Sequence, residues 1–380
     1  MKFLIDKTQL IAGISAVERF VPSKSTVSIL SGIRFQVDGD DLHLAATNLE
    51  MGIDYKIQGK SETLDILEEG SMVIGSKILS EIVRKMPEGT VEFKSEEKTV
   101  YISSGEFNMK LPCFDADDFP EISKTDGSET IVLKQKPFKD MIRQTIFARA
   151  EETSSRPQLT GILIDYKDNV LNMVALDGYR VAWRYEEQDP EATSFSGNFK
   201  VIVPANTMME ISRIFVDDED AEFKLFADRN RVEFKTDNIL ISSAILEGDF
   251  IDYARVMNVE AATTVEVDTT ELQWAIERAN IIAREGNKNN LIIFDIREDF
   301  IEVKADTELG SIKDRVQCST EGEKLIIAFN AKFFIDALRT IDSPKIKLSF
   351  SGSTGPCIIT PLETENHKNL ILPVRLGDDL

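Results

Sequence analysis

Residues able to act on a substrate are few. Histidine occurs twice, at His43 and His367, and neither has a serine or cysteine near it in sequence that would make a nucleophile beside a base. The cysteines Cys113, Cys318 and Cys357 lie far apart and fit no metal-ligand or redox spacing, which points to a reduced, cytoplasmic compartment. There is no GxxxxGK followed by Ser or Thr, and no GxGxxG between a strand and a helix. "SGSTGP" (351–356) joins two strand-like runs and reads as a hairpin loop. "VDDEDAE" (216–222) clusters carboxylates without EF-hand spacing and reads as a solvated loop. The expectation is a protein that is not an enzyme, with no cofactor and no metal. Two kinds of side chain remain that could carry function: basic residues able to hold phosphates, and apolar ones able to hold a partner.

The 380 residues suggest two or three domains, and 42% hydrophobic content is enough to build real cores. No apolar run is long enough to span a membrane, and the opening "MKFLID" reaches an aspartate too soon for a signal peptide. Net charge is −22, from 44 basic and 66 acidic residues. Spread evenly, that charge argues against nucleic acid; gathered so that the basic residues line one surface, it does not.

Three stretches follow one plan. "FLIDKTQLIAGISAV", "IVLKQKPFKDMIRQTI" and "VEVDTTELQWAIERA" each read as a strand running into a helix, with apolar stripes at Leu10, Ile14, Val17; Phe138, Met141, Ile142; and Leu272, Ile276, Ala279. Thr8 and Thr270 stand where a cap would stand. Hairpin signals follow around "DGDD", "KDN" and "RED". A second strand and helix come next, in "MVIGSKILSEIVRKM", "VIVPANTMMEISRIF" and "IIAFNAKFFIDALRTI", and then two or three more strands. The chain is expected to be α+β. It should hold three repeated domains at 1–127, 128–260 and 261–380, each with two helices and about eight mainly antiparallel strands.

Aligned on their apolar stripes, the second helices place Lys77, Asn206 and Lys332 in one slot at the helix start. Arg84, Arg213 and Arg339 fall in another, seven residues later. A lone Lys or Arg on a helix is ordinary surface; the same slots recurring in an acidic chain suggest one basic surface. Arg19, Arg143 and Arg278 on the first helices are not in register. Units with helices on one side and sheets on the other can bend into an arc. Basic helices inside would hold a phosphate backbone without reading bases, and the contacts would allow sliding.

"LPCFDADDFPEI", "RPQLTGILID", "ALDGYRVAW", "EGDFIDYARV" and the closing "LILPVRL" together resemble the bacterial DNA polymerase III beta subunit family, the sliding clamps, over essentially the whole chain. The resemblance implies three similar domains in the DNA clamp fold. It implies a head-to-tail homodimeric ring around duplex DNA that tethers the replicative polymerase. It also implies an ATP-driven clamp loader and other partners carrying clamp-binding motifs. First- and third-domain edge strands would pair across the interface, with Phe107 and Met109 of "EFNMKLP" and Ile281 and Ile282 of "NIIARE" as the matching residues. Partner peptides would dock on Leu159, Leu176, Gly178, Tyr179, Arg180, Val181, Ile251, Arg255, Val256, Ile371, Leu372, Pro373, Val374, Arg375 and Leu376. Ile251 stands where the family usually has proline, which implies a looser turn. DNA contacts would include Lys24, Lys77, Arg156 and Gln158, beside the helix positions Arg84, Arg213, Lys332 and Arg339.

A repeat scaffold that binds only proteins would explain the fold and the acidity, but not the recurring basic slots. "LILPVRL" reads as a last core strand that proline ends, with Val374 to Leu376 left to line a docking pocket; Asp378 and Asp379 in the added "GDDL" would tune that pocket by charge.

Overall fold

The apolar alternation that marks strands in the sequence is realised as antiparallel pairing throughout. The computed structural model describes residues 1–59, 63–122, 130–189, 197–286 and 290–375. Repeat 1 runs β1 (Lys2–Asp6), α1 (Lys7–Val17), β2 (Gly32–Asp38), β3 (Asp41–Thr47), β4 (Met51–Ile57), β5 (Leu64–Glu68), β6 (Gly70–Gly75), α2 (Ser76–Val83), β7 (Thr90–Glu96), β8 (Thr99–Ser104), β9 (Phe107–Phe114). Repeat 2 runs β10 (Ile131–Lys134), α3 (Gln135–Thr145), β11 (Gly161–Lys167), β12 (Val170–Leu176), β13 (Arg180–Glu187), β14 (Phe199–Pro204), α4 (Ala205–Ile214), β15 (Glu222–Ala227), β16 (Arg231–Lys235), β17 (Ile239–Ala244). A short α5 (Tyr253–Met257) leads to repeat 3: β18 (Thr263–Asp268), α6 (Thr269–Gly286), β19 (Leu291–Ile296), β20 (Phe300–Thr307), β21 (Gly310–Gly322), β22 (Leu325–Asn330), α7 (Ala331–Leu338), β23 (Lys345–Phe350), β24 (Cys357–Pro361), β25 (His367–Ile371).

The compact units do not follow the repeats. One unit holds repeat 1 with the first strand and the second half of repeat 2; the other holds the rest of the first half of repeat 2 and all of repeat 3. The reason is strand pairing. In the first unit β4 pairs with β17, joining repeats 1 and 2 in one sheet of 13 strands. In the second unit β13 pairs with β25, joining repeats 2 and 3 in one sheet of 12 strands. Both junctions join the same two positions of the repeat.

Local chemistry explains the helix starts and the tightest turn. α1 and α6 are capped by aspartate, not by the threonines expected: Asp6 accepts from the Thr8 N–H at 2.8 Å and Asp268 from the Glu271 N–H at 2.9 Å. Ionised Asp also suits the positive end of the helix dipole. The first residue of each first helix is a buried polar group that ties the helix to the segment after the second helix. Lys7 Nζ donates to the Met86 carbonyl, Gln135 accepts from the Val216 N–H, and Thr269 Oγ1 donates to the Ser343 carbonyl. Between β11 and β12, Asp168 and Asn169 both take positive φ (52° and 61°), the conformation a two-residue hairpin needs.

Each repeat has its own packed interior. Phe3 and Phe93 stack at 4.9 Å in repeat 1, Phe215 packs on Phe223 in repeat 2, and Phe294, Phe329 and Phe334 interlock in repeat 3. Aromatic pairs of this kind stabilise beyond their burial.

Candidate functional site

The polar helix slots keep the register read from the sequence. Lys77, Asn206 and Lys332 are each the second residue of their helix, in α2, α4 and α7, and all are exposed. Lys77 and Lys332 have no ion-pair partner among the described residues, so their charge is open to a ligand, while Asn206 bonds Glu152 at 3.2 Å. The arginine slot differs from expectation. Arg84 pairs with Glu18, Arg213 with Glu210, and Arg339 with Glu277 at 2.9 Å. A surface pair of this kind is weak, but the carboxylate offsets the positive charge each arginine presents. The two lysines therefore carry the clearer phosphate-binding character. Lys24 and Arg156 are exposed on loops. Gln158 is half-buried and packs under Gly248, where an added Cβ would stand 3.2 Å from it, so Gln158 supports its loop more than it reaches outward.

A second candidate lies where β12, β13, α5 and the chain's end converge in the second unit. Leu159, Leu176 and Val181 form one apolar cluster with Leu163, Ile358 and Leu370. Within two residues of members of that cluster in the chain are partly open side chains: Ile251 (36% exposed), Val256 (38%), Leu372 (40%) and Tyr179 (65%). Backbone bonds fix the tail across this floor, from the Leu372 N–H to the Tyr179 carbonyl at 2.9 Å and from the Val374 N–H to the Ala328 carbonyl at 2.8 Å. Pro373 between them has no N–H to leave unpaired. Gly178 takes φ 96°, which lets the β12–β13 turn close. Arg255 is exposed in α5, whose start is capped by Asp252 accepting from the Arg255 N–H. That cap, with the Tyr253 hydroxyl donating to Asp165 at 2.9 Å, ties down the segment that follows Ile251. Burial and the Asp165 carboxylate push the Tyr253 phenol well above its ordinary pKa, so it stays a donor.

Two expected members stand elsewhere. Ile371 is 1% exposed and belongs to the core of repeat 3. Successive strand residues face opposite ways, so its neighbour Leu370 takes the place in the floor. Arg180 is buried behind the wall: Nε donates to Asp177 at 3.0 Å, Nη1 to Asp336 at 2.7 Å and Nη2 to the Phe147 carbonyl at 2.8 Å. Its guanidinium also lies over the Phe147 and Phe333 rings, so it ties β13 to α7 and is not offered to a peptide. Leu376, with Asp378 and Asp379, lies outside the described residues, while Arg375 is exposed. Leu370 and Ile358 were within reach of the sequence, because both sit on alternating apolar runs beside the quoted motifs.

Two strand edges complete the picture. β9 pairs with β8 along its length and with β6 only at Cys113 and Phe114, so residues 107–112 have a second edge open among the described residues. Their side chains alternate half-buried and exposed, with Phe107, Met109 and Leu111 on the inner side. In repeat 3, β21 pairs with β20 through residues 310–317 and with β18 through 318–322, leaving the first stretch open on its other side. Ile281 and Ile282 do not supply an edge strand. They lie in α6, with Ile281 55% exposed and Ile282 packed against the repeat 3 core.

The histidines are engaged within the sheets. His43 Nδ1 lies 2.7 Å from Asp54, and His367 is 2% exposed beside Asn369. Cys113, Cys318 and Cys357 are unpaired thiols.

Comparison with known proteins matches three family models in chain order: the N-terminal domain of the DNA polymerase III beta subunit at residues 1–123, its central domain at 132–252 and its C-terminal domain at 254–375. Beta sliding clamps of Halalkalibacterium halodurans and Bacillus subtilis are each 31% identical, over 99% of this chain and 100% of theirs. Among solved structures, the DNA polymerase sliding clamp of Bacillus subtilis superposes with a TM-score of 0.93 at 31% identity. The DNA polymerase III beta chain of Streptococcus pneumoniae gives 0.93 at 27%; both alignments cover 99% of this chain and 100% of the other. With three family domains in order and relatives matched end to end, this chain belongs to the DNA polymerase III beta subunit family of sliding clamps.

Proposed function

We infer that this chain is a DNA sliding clamp, non-catalytic itself. Two copies join head to tail into a closed ring around duplex DNA, tether the replicative polymerase, and are loaded by an ATP-dependent clamp loader. The observation that carries the reading is the repeated junction. Each repeat offers the same strand to the last strand of the next, β4 to β17 and β13 to β25. Among the described residues, β21 of repeat 3 (310–317) and β9 of repeat 1 (107–112) lack the partner that this junction would give them, and each keeps an open edge. A second copy satisfies both, and a heterologous contact made twice closes a ring. Unpaired edges otherwise invite aggregation.

The register follows from the two existing junctions. Ile53 opposes Ile241 and Ala182 opposes Asn369, which places Ile312 of one copy opposite Met109 of the other, with Asp314 opposite Phe107. Ile281 and Ile282 then stand beside this strand pair as helix contacts.

The domains divide at 1–127, 128–260 and 261–380, a reading supported by the three matched family domains. Lys24, Lys77, Arg84, Arg156, Arg213, Lys332 and Arg339 face DNA, with Gln158 supporting the loop that carries Arg156, and Lys77 and Lys332 are dominant because no carboxylate among the described residues offsets them. Partner peptides dock on the floor of Leu159, Leu176, Val181 and Leu370, under Tyr179, Ile251, Val256 and Leu372. Unpaired thiols and a replication role support a cytoplasmic location.

The test is topological. The protein loaded on closed circular DNA should stay bound and leave once the circle is cut; equal loss from both forms would overturn encirclement. In the same assay Lys77→Glu with Lys332→Glu should shorten retention severalfold while sedimentation still shows a dimer.

A further inference from the structure

The junctions have a second component besides strand pairing. The first helix of one repeat lays a face against the segment that ends the next repeat's second helix. In the first unit that face is Ala12, Ser15 and Ala16 of α1. It looks toward Ile214 and Val216, and its small side chains leave a cleft of about 530 Å³. In the second unit the equivalent face of α3 is Asp140, Arg143 and Gln144, and there the contact is filled. Arg143 donates to the Thr340 carbonyl at 3.3 Å and pairs with Asp342 at 2.6 Å. Thr340 and Asp342 occupy the positions of Ile214 and Val216, one and three residues after the slot arginines Arg339 and Arg213.

In repeat 3 the equivalent face of α6 is Trp274, Glu277 and Arg278. The match is anchored by Leu10, Phe138 and Leu272, buried core residues two positions before Ala12, Asp140 and Trp274. A further contact supports it: Gln144 accepts from Arg184 of β13, and Arg278 pairs with Asp314 of β21, the same helix-to-strand pair of positions. Arg278 is thus turned to its own strand. Trp274 is 55% exposed, so this face is left uncovered among the described residues.

We propose that Trp274 anchors a second copy of this chain, packing on residues Lys85 to Pro87 after α2 of the neighbouring copy and filling the space that stays open at the first junction. The proposal rests on the ring reading above and names the residue on which ring closure depends most. Lys85 and Pro87 hold the positions of Ile214 and Val216 and of Thr340 and Asp342, and both are exposed. The residue between them is a buried anchor in every repeat, Met86 at 3%, Phe215 at 3% and Ile341 at 8%, which fixes how its neighbours are presented. Ile281, two turns beyond Trp274 on the same face of α6, carries the patch toward the open β21 edge. An exposed tryptophan continuous with an apolar edge is the kind of side chain that dominates subunit contacts.

Tryptophan occurs twice in the chain, and Trp183 is held by a hydrogen bond to Asn172 at 3.0 Å, so Trp183→Phe leaves Trp274 as the reporter. On raising the concentration of that variant from monomer to dimer, Trp274 emission should shift to the blue and its quenching by acrylamide should fall. By sedimentation, Trp274→Ala in the otherwise native chain should weaken dimerisation by about 30-fold or more, with Trp274→Phe retaining most of it. Trp274 is exposed in the single chain, so neither variant should unfold it, which circular dichroism checks. A native chain that never dimerises overturns the ring reading itself. A dimer in which Trp274 stays fully open to acrylamide, or whose strength Trp274→Ala leaves unchanged, overturns the anchor alone. So does quenching that responds only to added duplex DNA.

Discussion

His367 shows how one side chain reports on a whole junction. It sits in β25, opposite Arg184 of β13, and burial together with the Arg184 charge lowers its pKa from 6.5 to about 4. The folded chain keeps it neutral at pH values where the unfolded chain protonates it. The unfolded state then binds more protons, so stability rises with pH across that window. Its contribution is complete above pH 6.5, shrinks as pH falls and is gone by pH 4. Between pH 6.5 and pH 5 the loss is about 2 kcal/mol. Urea unfolding at pH 7 and pH 5 should show that pH dependence reduced by about this amount in His367→Gln; an unchanged dependence would place the titration elsewhere. Arg180 teaches a different lesson at the same scale. Its motif neighbours Leu176 and Val181 share the apolar cluster proposed as a docking floor, yet the guanidinium is buried in a network with Asp177 and Asp336. Asp336 is remote in sequence and sits in another repeat, so no local pattern could announce that pairing.

At the scale of elements, alternation and turn residues made hairpins legible, since strand faces follow a period of two. The order of helix, hairpins, helix and strands was legible for the same reason, three times over. Helix caps were less so: Thr8 and Asp6 are both good cap types, and the choice depends on where the strand releases the chain. Strand partners across repeats were not legible, because pairing β4 with β17 brings together residues far apart in sequence. The β3–β4 turn carries a testable consequence. Leu49 is held at φ 77° and 58% exposed, at the position where the β12–β13 turn has Gly178 at φ 96°. A non-glycine residue there costs about 1–2 kcal/mol, and an exposed leucine returns little through burial. Leu49→Gly should therefore stabilise the first unit by about 1 kcal/mol in urea unfolding, after the extra entropy of glycine in the unfolded chain is counted. A loss of stability would mean that Leu49 is covered in the assembled protein, which repeating the measurement well below the dimerisation range would reveal.

For the whole molecule, the decisive quantity is the conflict between a net charge of −22 and a DNA ligand. A protein that held DNA by contacts alone would need many cationic contacts. A protein making about 6–10 of them would lose roughly 10³–10⁵ in affinity between about 50 and 200 mM salt. Here three of the recurring basic positions are already paired with Glu18, Glu210 and Glu277, so these arginines are partly offset before any phosphate arrives. A ring removes the conflict, because it holds DNA by topology and needs only weak, exchangeable contacts to slide. The interface proposed to close it combines strand pairing with apolar side chains, Phe107, Met109, Ile281, Ile312 and Trp274, and such contacts are little screened by salt. Retention on closed circles should therefore change by less than about 2-fold over the same salt range in which contact-held proteins dissociate. Cutting the circle should release the protein at either salt concentration. If circles lose the protein as steeply with salt as the contact model requires, while sedimentation shows the dimer intact at both concentrations, then the chain binds DNA through its surface and the closed ring is wrong.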